Sequence, residues 1–225
     1  GGTVNVTVTD ADGAEQTLSA EVQDDGSWSV DANELPEGDY TVDASITDAA
    51  GNDTSASATG TVDTTAPGEG GDSSSNSIAF DDADDLINAS EQGAVTFTGT
   101  VEDGGAIDSI VISDGNTNTT VAEGDISVDG DGNVTVEGQD VSGLADGELT
   151  VTMTVTDEAG NQGSVADTAT LDTTAPTLSV EEPGTGNDTT PTIEGSSDQN
   201  GGTVNVTVTD ADGAEQTLSA EVQDD

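Results

Sequence analysis

Several stretches of this chain alternate an apolar residue with a small polar one, and this alternation constrains the fold more than any other feature. An apolar residue at every second position turns one face of an extended strand towards a core, because successive side chains of a strand point to opposite sides. The alternation therefore predicts half-buried β-strands. The clearest examples are TVNVTVTD at 3–10, YTVDASITD at 40–48, AVTFTGTVED at 94–103, IDSIVISDG at 107–115 and ELTVTMTVTD at 148–157.

Turn-forming sequences lie between these predicted strands. DADG at 10–13, EDGG at 102–105 and SDGN at 113–116 offer Gly, Asn or Asp for the positive φ angles of tight turns. No stretch has the period of a helix, and many short strands joined by frequent turns predict an all-β fold of antiparallel β-sandwiches. The core is expected to include Phe97, Ile110, Ile112, Val151, Met153 and Val155.

The charge of the chain excludes several classes of function. There are 48 acidic residues and no Lys, Arg or His, which gives a formal net charge of −48. High charge with low hydrophobicity is typical of disordered chains, but the regular alternation favours a folded one. A chain without cations repels nucleic acids and anionic membranes, because phosphate binding needs cationic side chains. We therefore expect neither a nucleic-acid partner nor membrane insertion.

The residue types also argue against an enzyme. Without His, Cys or Lys, the chain has no ordinary general base near neutral pH, no thiolate and no Schiff-base amine. Paired carboxylates can still hydrolyse glycosides, but one Trp, one Tyr and two Phe are too few to line a sugar-binding cleft. No catalytic residue is therefore predicted.

The chain is repetitive at two levels. Residues 1–25 recur unchanged at 201–225, and the TDxAGN turn and the DTTAP segment each occur twice with the same spacing between them. Such repetition is typical of domain arrays. It predicts the C-terminal part of one repeat at 1–65 (first strands missing), a complete repeat at 66–174, and the N-terminal part of the next at 175–225 (last strands missing).

The two incomplete end repeats need strands from elsewhere, because half of a sandwich exposes strand edges and an open core. Either the chain continues covalently in a longer array, or a neighbouring chain supplies the missing strands. The identical 25-residue ends favour covalent continuation.

The predicted repeats, such as 66–174, are rich in Asp and Thr and end in TDxAGN followed by DTTAP. They resemble the bacterial immunoglobulin-like repeats of giant RTX-type and biofilm-associated surface adhesins. The resemblance covers the whole chain, including GSWSVDANELPEGDYTVDASITDAAGN at 26–52. It implies immunoglobulin-like sandwiches arranged end to end and made rigid by calcium at their junctions. The chain departs from antibody-type domains because it has no Cys, and therefore no inter-sheet disulfide.

The same resemblance implies a secreted protein at the cell surface or in the extracellular space. In that family the repeats form an extender that projects a distal binding module for cell adhesion or biofilm formation. The partners would be neighbouring repeats of the same chain, with other copies in a filament as a further option, and the distal ligand is unidentified. Two rival functions are a self-assembling extracellular filament or matrix protein and a carbohydrate- or partner-binding module.

The repeated acidic motifs supply the kinds of ligand that calcium needs, which are six to eight oxygens from carboxylates, amides and carbonyls. Each TDxAGN turn offers a carboxylate and an amide, the following strand returns an Asp at the domain boundary, and FDDADD or TGNDTTP of a neighbouring domain adds carboxylates. A single Asp here is better explained by turn capping, whereas the repeated set favours calcium. The candidate ligands are Asp48, Asn52, Asp63, Asp81, Asp82, Asp84, Asp157, Asn161, Asp172 and Asp188.

Three other features have plain structural interpretations. DGDGN at 129–133 begins like an EF-hand loop, but Val134 stands where the sharp turn needs Gly, so a hairpin turn is the better prediction. Trp28 and Tyr40 are expected to be core residues.

Overall fold

The structure is a computed structural model that describes residues 2–68, 76–82 and 84–223. Among these residues the only helical segment is a 3-10 turn at Glu123–Asp125, and the regular structure is otherwise strand. The prediction of an all-β fold is confirmed. The part of the chain that is described contains no helix that is long and apolar enough to cross a membrane. The chain divides into two compact units, Gly1–Asp172 and Thr173–Asp225, which are described separately.

The first sheet contains four antiparallel strands in the order β2-β1-β3-β4. Val4, Val6 and Val8 of the alternating segment are buried on one face of this sheet. The DADG segment forms the β1–β2 hairpin turn, in which Asp10 Oδ1 accepts the N–H of Ala14 at 2.8 Å. The strands are β1 (Thr3–Thr9), β2 (Glu15–Glu21), β3 (Gly38–Thr47) and β4 (Asp53–Val62).

The apolar face of this sheet is covered partly by the loop between β2 and β3, whose Val30 and Leu35 pack against the buried valines. Trp28 lies in this loop and is 40% exposed, so the prediction that it belongs to the core is wrong. Alternation along a strand predicts which side chains are buried, but it says nothing about a residue in a loop. Trp28 lies at the border of the apolar face of the first sheet, beside Ile46. Tyr40 is half-buried and packs against the same cluster.

Residues 76–172 form a β-sandwich of two sheets, which we call the main sandwich. One sheet has the order β10-β11-β7-β5 and the other β6-β13-β12-β8-β9. Within these sheets, β6 pairs in parallel with β13, Ile87 lying opposite Leu171, and the other pairs are antiparallel. The strands are β5 (Ser77–Phe80), β6 (Leu86–Asn88), β7 (Val95–Thr100), β8 (Ala106–Ser113), β9 (Asn118–Thr120), β10 (Ile126–Val128), β11 (Asn133–Gln139), β12 (Gly147–Thr156) and β13 (Gln162–Asp172).

The core of the main sandwich lies between its two sheets. The rings of Phe80 and Phe97 are tilted against each other, with centroids 4.9 Å apart. Burial of these alternating side chains from both sheets is the main stabilising contribution to such a fold. The predicted core is confirmed, since each of its members is at most 1% exposed: Phe97, Ile110, Ile112, Val151, Met153 and Val155.

Two carboxylates tie separate segments of the main sandwich together. Asp167 on β13 accepts the N–H of Phe80 at 3.0 Å, which links strands of the two different sheets. Asp114, after β8, accepts the N–H groups of Thr117 at 2.6 Å and Ala145 at 2.8 Å. The backbone N–H groups that Asp114 accepts, first that of Ala145, lower the pKa of its carboxyl.

The lowered pKa of Asp114 predicts a pH-dependent effect of Asp114→Asn. A carboxyl whose pKa is lower in the folded state contributes stability above its unfolded pKa of about 3.9 and loses it as the pH falls through the folded value. The variant should therefore be less stable than the wild type at pH 7, and this difference should shrink towards pH 3. Urea unfolding followed by far-UV circular dichroism measures both. Glu137→Gln on the exposed face of β11 is the charge-matched control, and a difference independent of pH would contradict the prediction.

The second unit contains two short antiparallel hairpins. β14 (Leu178–Val180) pairs with β15 (Gly195–Ser197), and β16 (Thr203–Thr209) pairs with β17 (Glu215–Glu221). The β16–β17 hairpin repeats the sequence of β1–β2 and has the same register.

Candidate junction site

The two TDxAGN turns have the same local geometry. In the β3–β4 turn, Asp48 Oδ1 accepts the backbone N–H of Asn52, and Asp48 Oδ2 accepts its side-chain amide, both at 2.8 Å. In the β12–β13 turn, Asp157 accepts the same two groups of Asn161 at 2.8 and 2.9 Å. Gly51 and Gly160 have positive φ angles of 87° and 95°, which explains the Gly of the motif because other residues rarely adopt this conformation.

These hydrogen bonds favour the ionised carboxylates. The side-chain amide of Asn52, followed by its backbone N–H, lowers the pKa of Asp48. Burial acts to raise the pKa of Asp157, but the two hydrogen bonds from Asn161 and those from the turn backbone outweigh it, so the pKa lies below its usual value. Both turns therefore present a negative charge at neutral pH.

The β12–β13 turn makes an additional contact with the end of the first sheet. Asn161 Nδ2 donates to the backbone carbonyl of Asp63 at 3.1 Å, while Asp63 Oδ1 accepts the N–H of Thr65 at 3.0 Å. The structure thus brings together Asp63, Asp157 and Asn161, which are three of the candidate ligands. We call these three residues the junction site.

The segment that follows Asp63 packs closely on β13. Pro67 is buried, and a Cβ on Gly163 would overlap the carbonyl oxygen of Pro67. Gly68 has a φ of +80°, and a Cβ there would lie 2.9 Å from the carbonyl oxygen of Ser164. The two backbones therefore approach so closely that Gly is needed on both sides. Neither glycine was predicted from the sequence; for Gly163 the available signal was that Thr54 occupies its place in the first turn.

The other candidates are placed in turns or at strand ends. Asp172 ends β13 opposite Asn88, and Asp188 accepts the N–H of Thr190 at 2.8 Å in a local turn of the second unit. The N–H of Asp81 donates to the carbonyl of Thr96 at 3.0 Å.

Asp82 and Asp84 are also close in the chain. Burial raises the pKa of Asp82, and the neighbouring Asp84 raises it further. In residues 2–68, 76–82 and 84–223, no group of three or more acidic side chains is arranged to hold a metal ion. The junction site differs from such a group because it combines one carboxylate with an amide and a backbone carbonyl.

The Asn161 amide donates to both oxygens of the junction site, so the site would hold a hard cation only with this amide turned round. The amide nitrogen of Asn161 lies between two oxygens, Asp157 Oδ2 at 2.9 Å and the carbonyl of Asp63 at 3.1 Å. A half-turn of the amide exchanges its nitrogen for its oxygen, so carboxylate, carbonyl and amide oxygens would face one another. Calcium accepts these three kinds of ligand.

Comparison with known families gives one consistent description for most of the chain. A family model described as a bacterial Ig-like domain matches residues 1–64. A second model with the same description matches residues 68–173. No curated protein matches the chain.

Several solved structures are similar to the chain. The tetra-tandem repeat in the extending region of a large adhesion protein is 30% identical over 99% of this chain and 56% of its own length, with a TM-score of 0.38. A structure of a 1.5-MDa bacterial ice-binding adhesin is 20% identical over 98% of this chain and 86% of its own, with a TM-score of 0.44. A Ca²⁺-stabilised adhesin of an Antarctic bacterium that binds ice is 21% identical, covering 100% and 65%, with a TM-score of 0.39. The chain thus spans about half of the first of these structures, 56%.

Proposed function

The chain belongs to the bacterial Ig-like domains, and from this premise we propose that it is an extender segment of a bacterial surface adhesin. Bacterial Ig-like repeats are structural rather than enzymatic. In this role the repeats stand end to end outside the cell and hold a distal binding module away from it, for adhesion or biofilm formation. The partners of each repeat are the neighbouring repeats of the same chain.

The observation that carries this proposal is the tight contact between consecutive repeats. The segment from Asp63 to Gly68 does not run free between them, because Pro67 is buried and its carbonyl contacts Gly163. Asn161 adds a hydrogen bond to Asp63 at 3.1 Å. A short connection that is packed against the domain following it restricts the angle between the two domains. A free linker, in contrast, allows them to move relative to each other. A restricted angle is what an extender requires.

Separate apolar clusters support the proposed organisation of the chain as a complete repeat at 66–174 between two partial ones at 1–65 and 175–225. The main sandwich has one core shared by its two sheets. The first sheet has a separate apolar cluster formed by its own strands and its β2–β3 loop. Each body therefore has an apolar cluster of its own, as a domain does.

We further propose that calcium binds at the junction site through Asp157, Asn161 and the carbonyl of Asp63. The chain has no cationic side chain among its 225 residues, so no side chain of its own can neutralise the ionised Asp157, whereas a divalent ion can. Asp48 with Asn52 is the equivalent pair of the first repeat. The remaining proposed calcium ligands belong to boundaries between repeats. They are Asp172, Asp81, Asp82, Asp84 and Asp188.

Calcium is expected to raise the melting temperature of the chain, and EDTA is expected to lower it. A ligand that binds only the folded state adds about 2.7 kcal/mol of stability at a hundredfold excess over its Kd. Asp157→Asn should reduce this response, because it removes a charged ligand from the junction site. Thermal unfolding in low salt, with EDTA or with calcium, measures the difference.

The hairpin at 129–133 provides a matched control for this experiment. Asp129 accepts the backbone and side-chain amides of Asn133 at 2.9 and 2.8 Å, which are the bonds that Asp157 accepts from Asn161. The Asn133 side-chain amide donates to Asp129 of its own turn, whereas that of Asn161 also donates to the carbonyl of Asp63 in another segment. Asp129→Asn should therefore weaken a turn and leave the calcium response intact. Equal responses of the two variants, or no response of the wild type, would remove the calcium proposal.

A further inference from the structure

The two DTTAP segments are followed by different residues and by different backbone paths. Gly68 follows the first segment with a φ of +80°, a conformation that residues with a side chain rarely adopt. Thr177 follows the second, and among the described residues Asp85 is the only non-glycine residue with a positive φ. The N–H of Thr177 donates to Asp198 Oδ1 at 2.8 Å, and β14 begins at the next residue. DTTAP therefore does not by itself determine how one repeat is joined to the next.

The path of the first segment depends on the start of β13 in the main sandwich. A Cβ on Gly163 would meet the N, C and O atoms of the Pro67 backbone. A Cβ on Gly68 would meet the carbonyl of Ser164 and the side chain of Val165. We call Gly163, Ser164 and Val165 the receiving surface. A linker fits on this surface only if its backbone can come into direct contact with that of β13.

The first sheet has a different residue at the equivalent place. Gly163 lies opposite Val155, in the second residue pair from the β12–β13 turn. Thr54 lies opposite Ile46, in the second residue pair from the β3–β4 turn. Thr54 therefore carries a Cβ at the place where the backbone of Pro67 leaves no room for one on Gly163. The β3–β4 turn cannot receive a linker on the path that the first DTTAP segment follows.

We propose that Gly68 and Gly163 together select which kind of repeat can follow the first sheet. A linker with Gly after DTTAP docks on a repeat that has Gly at the place of Gly163, as the main sandwich does. A repeat with Thr at that place, such as Thr54 of the first sheet, cannot receive it. A linker with Thr after DTTAP, such as that ending in Thr177, cannot take the docked path. This inference rests on the proposed end-to-end arrangement of the repeats, and it adds that their joints are not interchangeable.

The two glycines act on one contact for different physical reasons. At Gly68 the obstacle to Thr is the backbone conformation, because a β-branched residue with a positive φ is strained. At Gly163 the obstacle is the backbone of Pro67, which cannot turn aside as a flexible side chain can. Either replacement releases the linker from the receiving surface, so a second replacement has no contact left to remove. The effects of the two replacements on the joint should therefore not add.

A grafted turn tests the selection in the full chain. Spin labels on cysteines that replace Thr59 and Thr168, which are exposed on either side of the joint, measure the spread of distances across it. Glu158→Ala, Gln162→Asp and Gly163→Thr give the β12–β13 turn the sequence of the β3–β4 turn. The matched control carries the first two changes and keeps Gly163. The full graft should broaden the distance distribution, whereas the control should keep the narrow distribution of the wild type.

Gly68→Thr tests the other side of the joint without a change in the strands of the main sandwich. It should broaden the distribution as the graft does, and the two combined should be no broader than either. Thr177→Gly, the reverse change after the second DTTAP segment, should leave the distribution unchanged. A narrow distribution in the full graft, or effects that add, would overturn the selection and leave the extender proposal in place. A broad distribution in the wild type would overturn both.

Discussion

Replacement of Phe97 with alanine is expected to lower the free energy of unfolding of the main sandwich by about 3–5 kcal/mol. Phe97 is fully buried on β7, and its ring contacts that of Phe80. These are the only two phenylalanines of the chain, and the surrounding core residues are mostly Val, Ile and Leu. Such side chains cannot fill the volume of a lost aromatic ring, because protein interiors are already closely packed.

The size of this effect is large compared with the stability of a typical domain, about 5–15 kcal/mol. Urea unfolding followed by far-UV circular dichroism should show an earlier transition of the main sandwich. Thr98→Ala is the matched control, since Thr98 is the next residue of the same strand and its side chain is exposed. A loss for Phe97→Ala no greater than that for Thr98→Ala would show that the core is assigned wrongly.

Gly163→Ala is expected to open the contact between the first sheet and the main sandwich. The added Cβ would overlap the carbonyl oxygen of Pro67, and a backbone atom cannot turn aside as a flexible side chain can. The segment must therefore move away from β13, which also weakens the bond between Asn161 and Asp63. Each body should keep its own core, so the effect should concern mainly their relative motion.

Spin labels attached to cysteines at Thr59 and Thr168 measure this motion, because both positions are exposed and lie on opposite sides of the contact. The variant should have a broader distribution of distances than the wild type. Gly143→Ala is the control, since a Cβ on Gly143 would have no atom within 4 Å. An unchanged distribution in Gly163→Ala would show that the close approach does not restrict the junction.

The strands and the main core could be predicted from sequence because burial in a sandwich follows the period of the strand. Val151, Met153 and Val155 alternate with Thr, and each is buried on β12. The exposure of Trp28 could not be predicted in this way, since it lies in a loop where alternation has no meaning. Its size and apolarity suggested the core, but its position at the border of one sheet decides its exposure.

The local part of the junction could also be predicted from sequence, whereas the contact between segments could not. Asp157 and Asn161 belong to one turn motif, and their hydrogen bonds follow from local backbone geometry. The approach of Asp63 depends on how one β-sheet meets the next, which no short motif encodes. The need for glycine at position 163 could not be predicted for the same reason, because it arises only from the backbone of Pro67 beside it.

The parallel pairing of β6 with β13 has a mechanical consequence. These strands lie close to the two ends of the main sandwich, and Leu86, Ile87 and Asn88 lie opposite Thr170, Leu171 and Asp172. When the sandwich is pulled from both ends, parallel strands slide along each other, so their hydrogen bonds bear the load together instead of opening one after another. The force must also draw Ile87 and Leu171 out of the core. This short pair of strands therefore contributes to the resistance to tension, which depends on the unfolding rate under load.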